Sequence, residues 1–172
     1  MLHQRTLGKT ISAAGVGLHS GEKVEITLRP ASEDSGIRFR RVDCDPTQEI
    51  KAHANNVTDT RLGTTISQNN VSVMTVEHLL AAFAGLGIDN ACIDIHGPEI
   101  PIMDGSAASF ILLVELAGII EQSAPKKFLR IKKNVKVEED DKFAEFKPFN
   151  GYRLSFKIEF EHPMIQHKLT EF

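Results

Sequence analysis

The spacing of apolar residues changes along the chain, and this change constrains the fold more than any other feature of the sequence. Within residues 23–29, the apolar Val24, Ile26 and Leu28 alternate with polar residues, which is the period of a half-buried β-strand. Within residues 75–87, the large apolar residues recur at positions i, i+3, i+4 and i+7, which is one face of a helix. The chain therefore predicts strands first and a helix after them.

Further elements follow from the same two periods. The predicted strands are residues 23–29, 37–42, 64–67, 71–73 and 90–95, and the predicted helices are residues 75–87 and about 107–117. Asn69 and Asn70 predict a hairpin turn, and an antiparallel meander is the simplest arrangement of the early strands. We expect Thr75 to be the N-cap of the first helix and Gly85 or Gly87 to end it. Strands followed by paired helices predict an α+β fold, with a sheet packed against a helix layer.

The charge of the chain changes sign near residue 121. Residues 1–121 contain 9 Lys and Arg against 15 Asp and Glu, whereas residues 122–172 contain 11 against 8. A polar stretch with a proline lies at this point, which is typical of a domain junction, although a charged loop inside one domain gives the same pattern. We expect a first domain over residues 1–124 and an incomplete second domain over residues 125–172.

The last fifty residues return to the strand period. Predicted strands are residues 128–131, 135–137, 143–146 and 153–160. Leu154, Phe156, Ile158 and Phe160 share one face of the last strand, and no predicted helix follows to cover it. Such a face exposes roughly several hundred Å² of apolar surface, which is unusual for a soluble monomer. Either a partner covers this face, or the chain is the N-terminal piece of a longer protein.

Composition excludes several classes of protein. The 172 residues are 41% hydrophobic and 25% charged, as in soluble globular proteins. No apolar run approaches the roughly 20 residues of a membrane span, and the N-terminus has no apolar stretch typical of a secretory signal. Two cysteines are too few for a disulfide framework, so a cytoplasmic location is expected. A net charge of −3 gives no general attraction to nucleic acid.

Glu77 and His78 are the strongest candidates for chemistry. On a helical wheel they point away from the apolar stripe and lie beside the small Ala81 and Ala84, which leave room for a metal or a substrate. Glu77 could act as a base and His78 as a zinc ligand in metal-assisted hydrolysis. The alternative is an ordinary acidic first turn, because Ala82 stands where a zincin helix has its second histidine and one histidine cannot hold zinc.

Three loops are weaker candidates. His19 lies in the glycine-rich residues 15–21, which predict a ligand loop or a simple hairpin turn. Residues 59–64 form a polar loop that could line a site. In residues 98–106, Asp104 or Ser106 could cap the second helix, and a structural role is the favoured interpretation.

Four segments together resemble a known family. They are residues 15–21, residues 75–79 with residues 84–90, residues 98–106 and residues 145–148. In this order and spacing they resemble the zinc-dependent UDP-3-O-acyl-N-acetylglucosamine deacetylases of Gram-negative bacteria, and the resemblance covers essentially the whole chain. It implies two similar domains with a ribosomal-protein-domain-like fold, each a sheet packed against helices, with the active site between them. It also implies that zinc-bound water hydrolyses the N-acetyl amide and releases acetate, at the committed step of lipid A synthesis.

The resemblance also implies roles for single residues. His78 matches the zinc ligand of the first domain, and Glu77 matches the general base. His19 lies near the substrate-binding region, and Leu62 and Gly63 border the site. Relatives often carry a cysteine where this chain has Gly63. Because glycine has no side chain, no side chain at this position can contact a metal here.

The family's other two zinc ligands, a His and an Asp, belong to the second domain and have no counterpart before Phe172. We therefore expect an N-terminal portion of the deacetylase that is inactive alone and pairs with the missing half of the second domain or with a partner. The expected partner molecule is the UDP-linked sugar, with no nucleic acid and no membrane span. The alternatives are a non-catalytic binding or assembly module that keeps the first-domain fold, or a damaged gene product without a function.

Overall fold

The computed structural model describes residues 2–45, 47–158 and 168–171. These residues contain two α-helices, a short 3-10 helix at Ala54–Asn56 and a series of short strands. The chain divides into two units, Met1–Lys127 and Phe128–Phe172. The first unit contains β1 (His3–Leu7), β2 (Ile11–Val16), β3 (Lys23–Pro30), β4 (Ile37–Arg41), β5 (Ile50–Lys51), β6 (Val57–Asp59), β7 (Thr65–Gln68), β8 (Val71–Val73), α1 (Glu77–Leu86), β9 (Ala91–His96), α2 (Ala108–Ala117) and β10 (Ile119–Pro125). The second contains β11 (Val135–Glu139), β12 (Lys142–Phe146), β13 (Ser155–Ile158) and β14 (Lys168–Glu171).

The main sheet of the first unit has the order β2-β3-β9-β4-β5. The early strands do not form the predicted meander, because β9 inserts between β3 and β4 and runs parallel to β4. Ile93 of β9 is thereby opposite both Leu28 of β3 and Phe39 of β4, and all three side chains are fully buried. A central position suits β9 because its apolar residues need covering neighbours on both sides. The alternation of residues along one strand does not predict which strands those neighbours are.

The core lies between this sheet and the two helices. As predicted, Val24, Ile26 and Leu28 are fully buried. The helices contribute their apolar stripes, and the buried helical side chains are Leu79, Ala82, Phe83, Phe110, Val114 and Ala117. Burial of each large side chain contributes about 1.5–3 kcal/mol, so the strand alternation and the helical stripes stabilise the same core. The predicted α+β fold, with helices against a sheet, is confirmed for this unit.

The opposite face of the main sheet is polar. Asp94 of β9 is nearly buried there, because it accepts hydrogen bonds from the side chains of Arg29 on β3 and Arg40 on β4. Two guanidinium groups compensate for the cost of removing this carboxylate from water.

Residues near the charge change form a strand rather than a loop. β10 pairs antiparallel with β1, with Thr6 opposite Ile120. Its polar residue Gln122 donates a hydrogen bond to the carbonyl of Ala31 and accepts one from the buried Asn90. Side-chain hydrogen bonds thus fix a strand whose sequence lacks apolar alternation. The boundary between the two units in the sequence lies after Lys127. The assignment of residues 1–124 and 125–172 as domains remains a prediction.

The ends of the helices differ in part from the prediction. The N-cap position of α1 is Val76, not Thr75, because Thr75 uses its hydroxyl for a hydrogen bond to Glu99. Gly87 ends α1 with φ of 69°, as predicted for one of the two glycines. At α2 the N-cap position is Ala107, although the Ser106 hydroxyl accepts a hydrogen bond from the N–H of Ala108.

One hairpin agrees with the prediction. β7 and β8 pair antiparallel through Asn69 and Asn70, whose φ angles of 50° and 65° are those of a tight two-residue turn.

In the second unit, β11 and β12 form another antiparallel hairpin. The predicted strand at residues 128–131 is wrong, because these residues form neither helix nor strand and Phe128 is exposed.

The long strand predicted at residues 153–160 is described only up to Ile158. β13 pairs with β14 within this unit, and Leu154 and Phe156 are exposed. Phe160 lies outside the described residues. Of the helices described, neither has the length and the apolar character needed to cross a membrane.

Candidate active site

Glu77 occupies the first turn of α1 and is held by the loop before β7. The backbone N–H of Thr64 donates a 3.0 Å hydrogen bond to Oε2 of Glu77. Within the described residues Oε1 accepts no hydrogen bond. One carboxylate oxygen is therefore anchored, and the other is left to face Gly63.

Gly63 lines a small space that two side chains share. A Cβ at Gly63 would lie 3.4 Å from Oε1 of Glu77 and 3.4 Å from Nε2 of His19. The two atoms are therefore no further apart than twice that distance. Because glycine has no side chain, the space between this carboxylate and this imidazole stays open. The structure thus brings together three residues that the sequence predicted for the site.

His19 is presented by a tight turn between β2 and β3. The turn is closed by hydrogen bonds from the N–H of Gly21 to the carbonyl of Gly17 and from the N–H of Gly17 to the carbonyl of Glu22. Gly21 has φ of 68°, a conformation that glycine adopts without steric cost. The predicted hairpin turn is confirmed, and it leaves the imidazole of His19 exposed.

Glu99 is the residue at this site that sequence reasoning missed. Its side chain is completely buried. Oε1 accepts hydrogen bonds from the N–H of His19 at 3.0 Å, the N–H of Ser20 at 3.0 Å and the hydroxyl of Ser20 at 2.9 Å. Oε2 accepts one from the hydroxyl of Thr75 at 3.1 Å. Glu99 therefore connects the His19 turn to the residues that lead into α1.

The charge state of Glu99 follows from these contacts. Burial raises the pKa of Glu99, but the hydrogen bonds from Ser20, His19 and Thr75 outweigh burial and hold the pKa below its usual value. The carboxylate is therefore ionised at neutral pH. Four donors to one buried carboxylate satisfy the rule that a buried charge needs partners.

The backbone around Glu99 is shaped to fit the carboxylate. A Cβ at Gly17 would overlap Oε1 of Glu99 and would lie 2.6 Å from its Cδ, so only glycine fits there. Thr75 is buried and has φ of 58°, which is unusual for a β-branched residue. This strained conformation directs the Thr75 hydroxyl to Glu99 rather than to the end of α1.

His78 follows Glu77 in α1 and is partly buried. Successive residues of a helix are about 100° apart, so the imidazole of His78 projects from a neighbouring part of the same turn. Among the described residues, no three His, Cys, Asp or Glu side chains are grouped closely enough to hold a metal ion. The imidazole of His78 is a donor of the type that zinc binds. Catalytic zinc needs three protein ligands, however, so the described residues alone do not complete a zinc site.

Leu62 lies next to Gly63 at the tip of the same loop. Its side chain is 89% exposed and its φ is 60°. A large apolar side chain in this conformation is rare unless the loop is fixed. Asp59 helps to fix it, since Arg61 donates to Asp59 from both its backbone N–H and its guanidinium group. The same guanidinium holds the pKa of Asp59 well below its usual range.

Comparison with known proteins bears on the identity of this site. A model of the family described as LpxC: UDP-3-O-acyl N-acetylglycosamine deacetylase matches residues 4–172. The chain is 57% identical over 167 residues to a UDP-3-O-acyl-N-acetylglucosamine deacetylase of Thioalkalivibrio sulfidiphilus, over 97% of this chain and 55% of that protein. It is 56% identical over 172 residues to the protein of the same name from Xylella fastidiosa strain 9a5c, over 100% of this chain and 57% of that protein.

A third relative, from Chromohalobacter salexigens, has the same name and is 56% identical over 98% of this chain and 55% of its own length. The chain therefore spans about half the length of the curated relatives it matches. The family model and the relatives agree with each other and with the resemblance in the sequence. This chain belongs to the UDP-3-O-acyl N-acetylglycosamine deacetylase family.

Proposed function

We propose that this chain supplies the Glu77 and His78 side of a zinc-dependent active site. In the complete protein that site removes the N-acetyl group from UDP-3-O-acyl-N-acetylglucosamine, releasing acetate, at the committed step of lipid A synthesis. The observation that carries the proposal is the space at Gly63, where Glu77 and His19 face a common point in a chain of this family. The relatives are UDP-3-O-acyl-N-acetylglucosamine deacetylases, which supports this substrate.

Glu77 is the proposed general base, the group that takes a proton from the attacking water. A base must lie within hydrogen-bond reach of the proton it removes. The N–H of Thr64 fixes the carboxylate through Oε2, and Oε1 faces the space beside Gly63. Because Oε2 is anchored, the direction in which Oε1 points is restricted, as a base that acts on a bound water requires.

His78 is the proposed zinc ligand of this chain, through a neutral imidazole nitrogen. The other two protein ligands are proposed to be a His and an Asp from the part of the family's length that this chain does not span. When bound, zinc would polarise the amide carbonyl and acidify the attacking water. His78 and Glu77 are adjacent in α1, so the same turn would hold the metal and the base.

His19, Leu62 and Gly63 are the proposed substrate contacts. The imidazole of His19 is exposed at the edge of the space, and Leu62 presents its side chain to solvent beside it. Gly63, between Glu77 and His19, leaves room for the acetamido group. These three residues would orient the sugar so that its amide carbon lies close to Glu77.

The finer architecture is also a proposal. Residues 1–124 would form the first of two similar domains with a ribosomal-protein-domain-like fold, and residues 125–172 would open the second. The apolar Phe143 and Phe146 of the second unit are 67% and 64% exposed, which supports a covering partner or a cover from the part of the family's length that this chain does not span. We propose a cytoplasmic protein that uses a small UDP-linked substrate and no nucleic acid.

Zinc content and deacetylase activity test this proposal together. We expect the 172-residue chain to bind less than one equivalent of zinc and to release no acetate, and a chain completed to the relatives' length to do both. His78→Ala in the completed chain should lower its zinc content. A short chain with stoichiometric zinc would contradict the shared site. A completed chain that binds the UDP-sugar without releasing acetate would indicate a binding module instead.

A further inference from the structure

We propose that Glu99 is a positioning residue: its buried carboxylate holds the His19 turn in place against the start of α1, so that the imidazole of His19 faces Glu77. This inference rests on the proposed function, because it assumes that His19 contacts the substrate. Glu99 itself is separated from the open space, since its side chain is completely buried. It can therefore act on the reaction only through the residues that it holds.

The two oxygens of Glu99 bind two different parts of the chain. Oε1 accepts from the backbone N–H groups of His19 and Ser20, and Oε2 accepts from the hydroxyl of Thr75. The backbone of His19 lies in the turn after β2, and Thr75 lies two residues before Glu77. A single carboxylate thus spans the two segments whose side chains meet at Gly63.

The surrounding residues indicate that this connection is rigid. Gly17 has no room for a Cβ beside Glu99, so the turn packs directly on the carboxylate. Thr75 keeps an unfavourable φ of 58° while it donates to Oε2. Hydrogen bonds to an ionised acceptor are about twice as strong as neutral ones. Two of the four donors to Glu99 are the backbone N–H groups of His19 and Ser20, so the carboxylate fixes the backbone of the turn directly. A site whose supporting contacts are loosened by about 1 Å can lose about 100-fold in rate.

The alternative is that Glu99 only stabilises the fold. Asp94 provides the matched control, because it is also a nearly buried carboxylate with several donors, on the opposite face of the sheet. Glu99→Ala and Asp94→Ala should both lower stability. Only Glu99→Ala should change the His19 turn and the reaction.

Amide hydrogen exchange tests the positioning in the 172-residue chain without any need for activity. In Glu99→Ala the N–H groups of His19 and Ser20 lose their acceptor, so their exchange should become about tenfold faster or more, measured relative to amides of β3. In Glu99→Gln the amide oxygen can still accept from both N–H groups, so most of the protection should remain. Asp94→Ala should leave both amides unchanged relative to β3. Unchanged exchange of His19 and Ser20 in Glu99→Ala would overturn the inference.

A double-mutant cycle in the completed chain tests the link to the reaction. Glu99→Ala should lower kcat/KM by about 10- to 100-fold, and Glu99→Gln should recover most of it. If Glu99 acts through His19, Glu99→Ala should have little further effect in a His19→Ala background. Equal losses in both backgrounds would overturn the inference and leave a general effect on stability.

The outcomes separate this inference from the proposed function. If His19→Ala alone leaves kcat/KM unchanged, the substrate role of His19 is wrong and the positioning has no effect on the reaction, whatever the exchange rates show. If His19→Ala is defective but Glu99→Ala is as active as the starting protein, the proposed function stands and the inference falls. Both single variants defective, with a non-additive double variant and faster exchange at His19, would support it.

Discussion

The buried carboxylate of Glu99 accepts a 3.0 Å hydrogen bond from the backbone N–H of His19, which precedes it by 80 residues. The other carboxylate oxygen accepts from Thr75, close to the start of α1. Two distant segments of the chain therefore meet at one ionised group. The stability of this arrangement and the geometry of the candidate site can be tested separately.

Thr75 tests the hydrogen bond to Oε2. Thr75→Val keeps the shape and the β-branch but removes the donor, so Glu99 loses a partner while it stays buried. We expect the free energy of unfolding to fall by about 1.5–3 kcal/mol, the range for hydrogen bonds to charged groups. Thr75→Ser keeps the donor and loses only a methyl group, which costs about 0.8 kcal/mol. Urea unfolding of both variants is the measurement, and equal losses would show that the hydroxyl has no part in stability.

Gly17 tests the close approach of the turn to Glu99. A Cβ there would overlap the carboxylate, so Gly17→Ala must move either the turn or Glu99. Overpacking of this kind typically costs about 1–3 kcal/mol, which we expect as a lower midpoint of urea unfolding.

Gly85 is the control for Gly17, because it lies inside α1 with no other atom near the position of a Cβ. Gly85→Ala should raise the free energy of unfolding by roughly 0.5–1 kcal/mol, since alanine is the better helix former. A loss of stability in Gly85→Ala, or none in Gly17→Ala, would contradict the packing described here.

The pH dependence of stability tests the ionised state of Glu99. Its pKa is lowered in the folded chain, so the stabilisation is complete above the pKa of glutamate in the unfolded chain and is lost as pH falls through the lower folded pKa. Several other carboxylates also have lowered pKa values, among them Asp43, whose pKa is lowered chiefly by the Arg41 guanidinium. The difference between the starting chain and Glu99→Gln isolates Glu99. This difference should shrink as pH falls, and a difference that is constant with pH would show that Glu99 is not charged.

Gly63 tests the space between Glu77 and His19. It is not held in the left-handed region, and a Cβ there would only touch its neighbours at 3.4 Å. Gly63→Ala should therefore change the free energy of unfolding by less than about 1 kcal/mol. The family resemblance implies a cysteine at this position in many relatives, so the added methyl group should leave kcat/KM of the completed chain close to that of the unsubstituted protein. Gly63→Phe would fill the space between Glu77 and His19, so it should lower kcat/KM by about tenfold or more. Unchanged kcat/KM in Gly63→Phe would mean that the reacting group lies elsewhere, and Gly63→Ala is the matched control.

The helices and most strands were predictable because their signals are local. The alternation of Val24, Ile26 and Leu28 and the helical stripe through Leu79 and Phe83 depend only on which side chains need burial. The positions of the strands in the sheet were not predictable in the same way. β9 lies between β3 and β4 because its apolar side chains are best buried at the centre of the sheet. The spacing of residues within one strand does not show which strands will be its neighbours.

The parts of the structure that the sequence did not predict depend on polar contacts between distant residues. β10 has little alternation and is fixed by Gln122 and the buried Asn90. Glu99 lies in a loop between two prolines, and its donors come from a turn 79 and 80 residues away and from Thr75. The sequence contains only a weak indication that Glu99 is buried, namely its position between Pro98 and the apolar Ile100. Glu77 and His78, in contrast, stand out because they are the two polar side chains of α1 and lie off its apolar stripe.

The most direct measurement of the central claim is acetate release by a completed chain that carries Glu77→Gln, together with its zinc content. Glutamine keeps the size of the side chain and can still accept the N–H of Thr64, but it cannot take a proton from water. The account predicts that kcat falls by roughly 100-fold or more, as expected for loss of a general base, while the zinc content stays equal to that of the unsubstituted protein. Turnover equal to that of the unsubstituted protein, with zinc bound, would contradict the assignment of Glu77 and with it the proposed site.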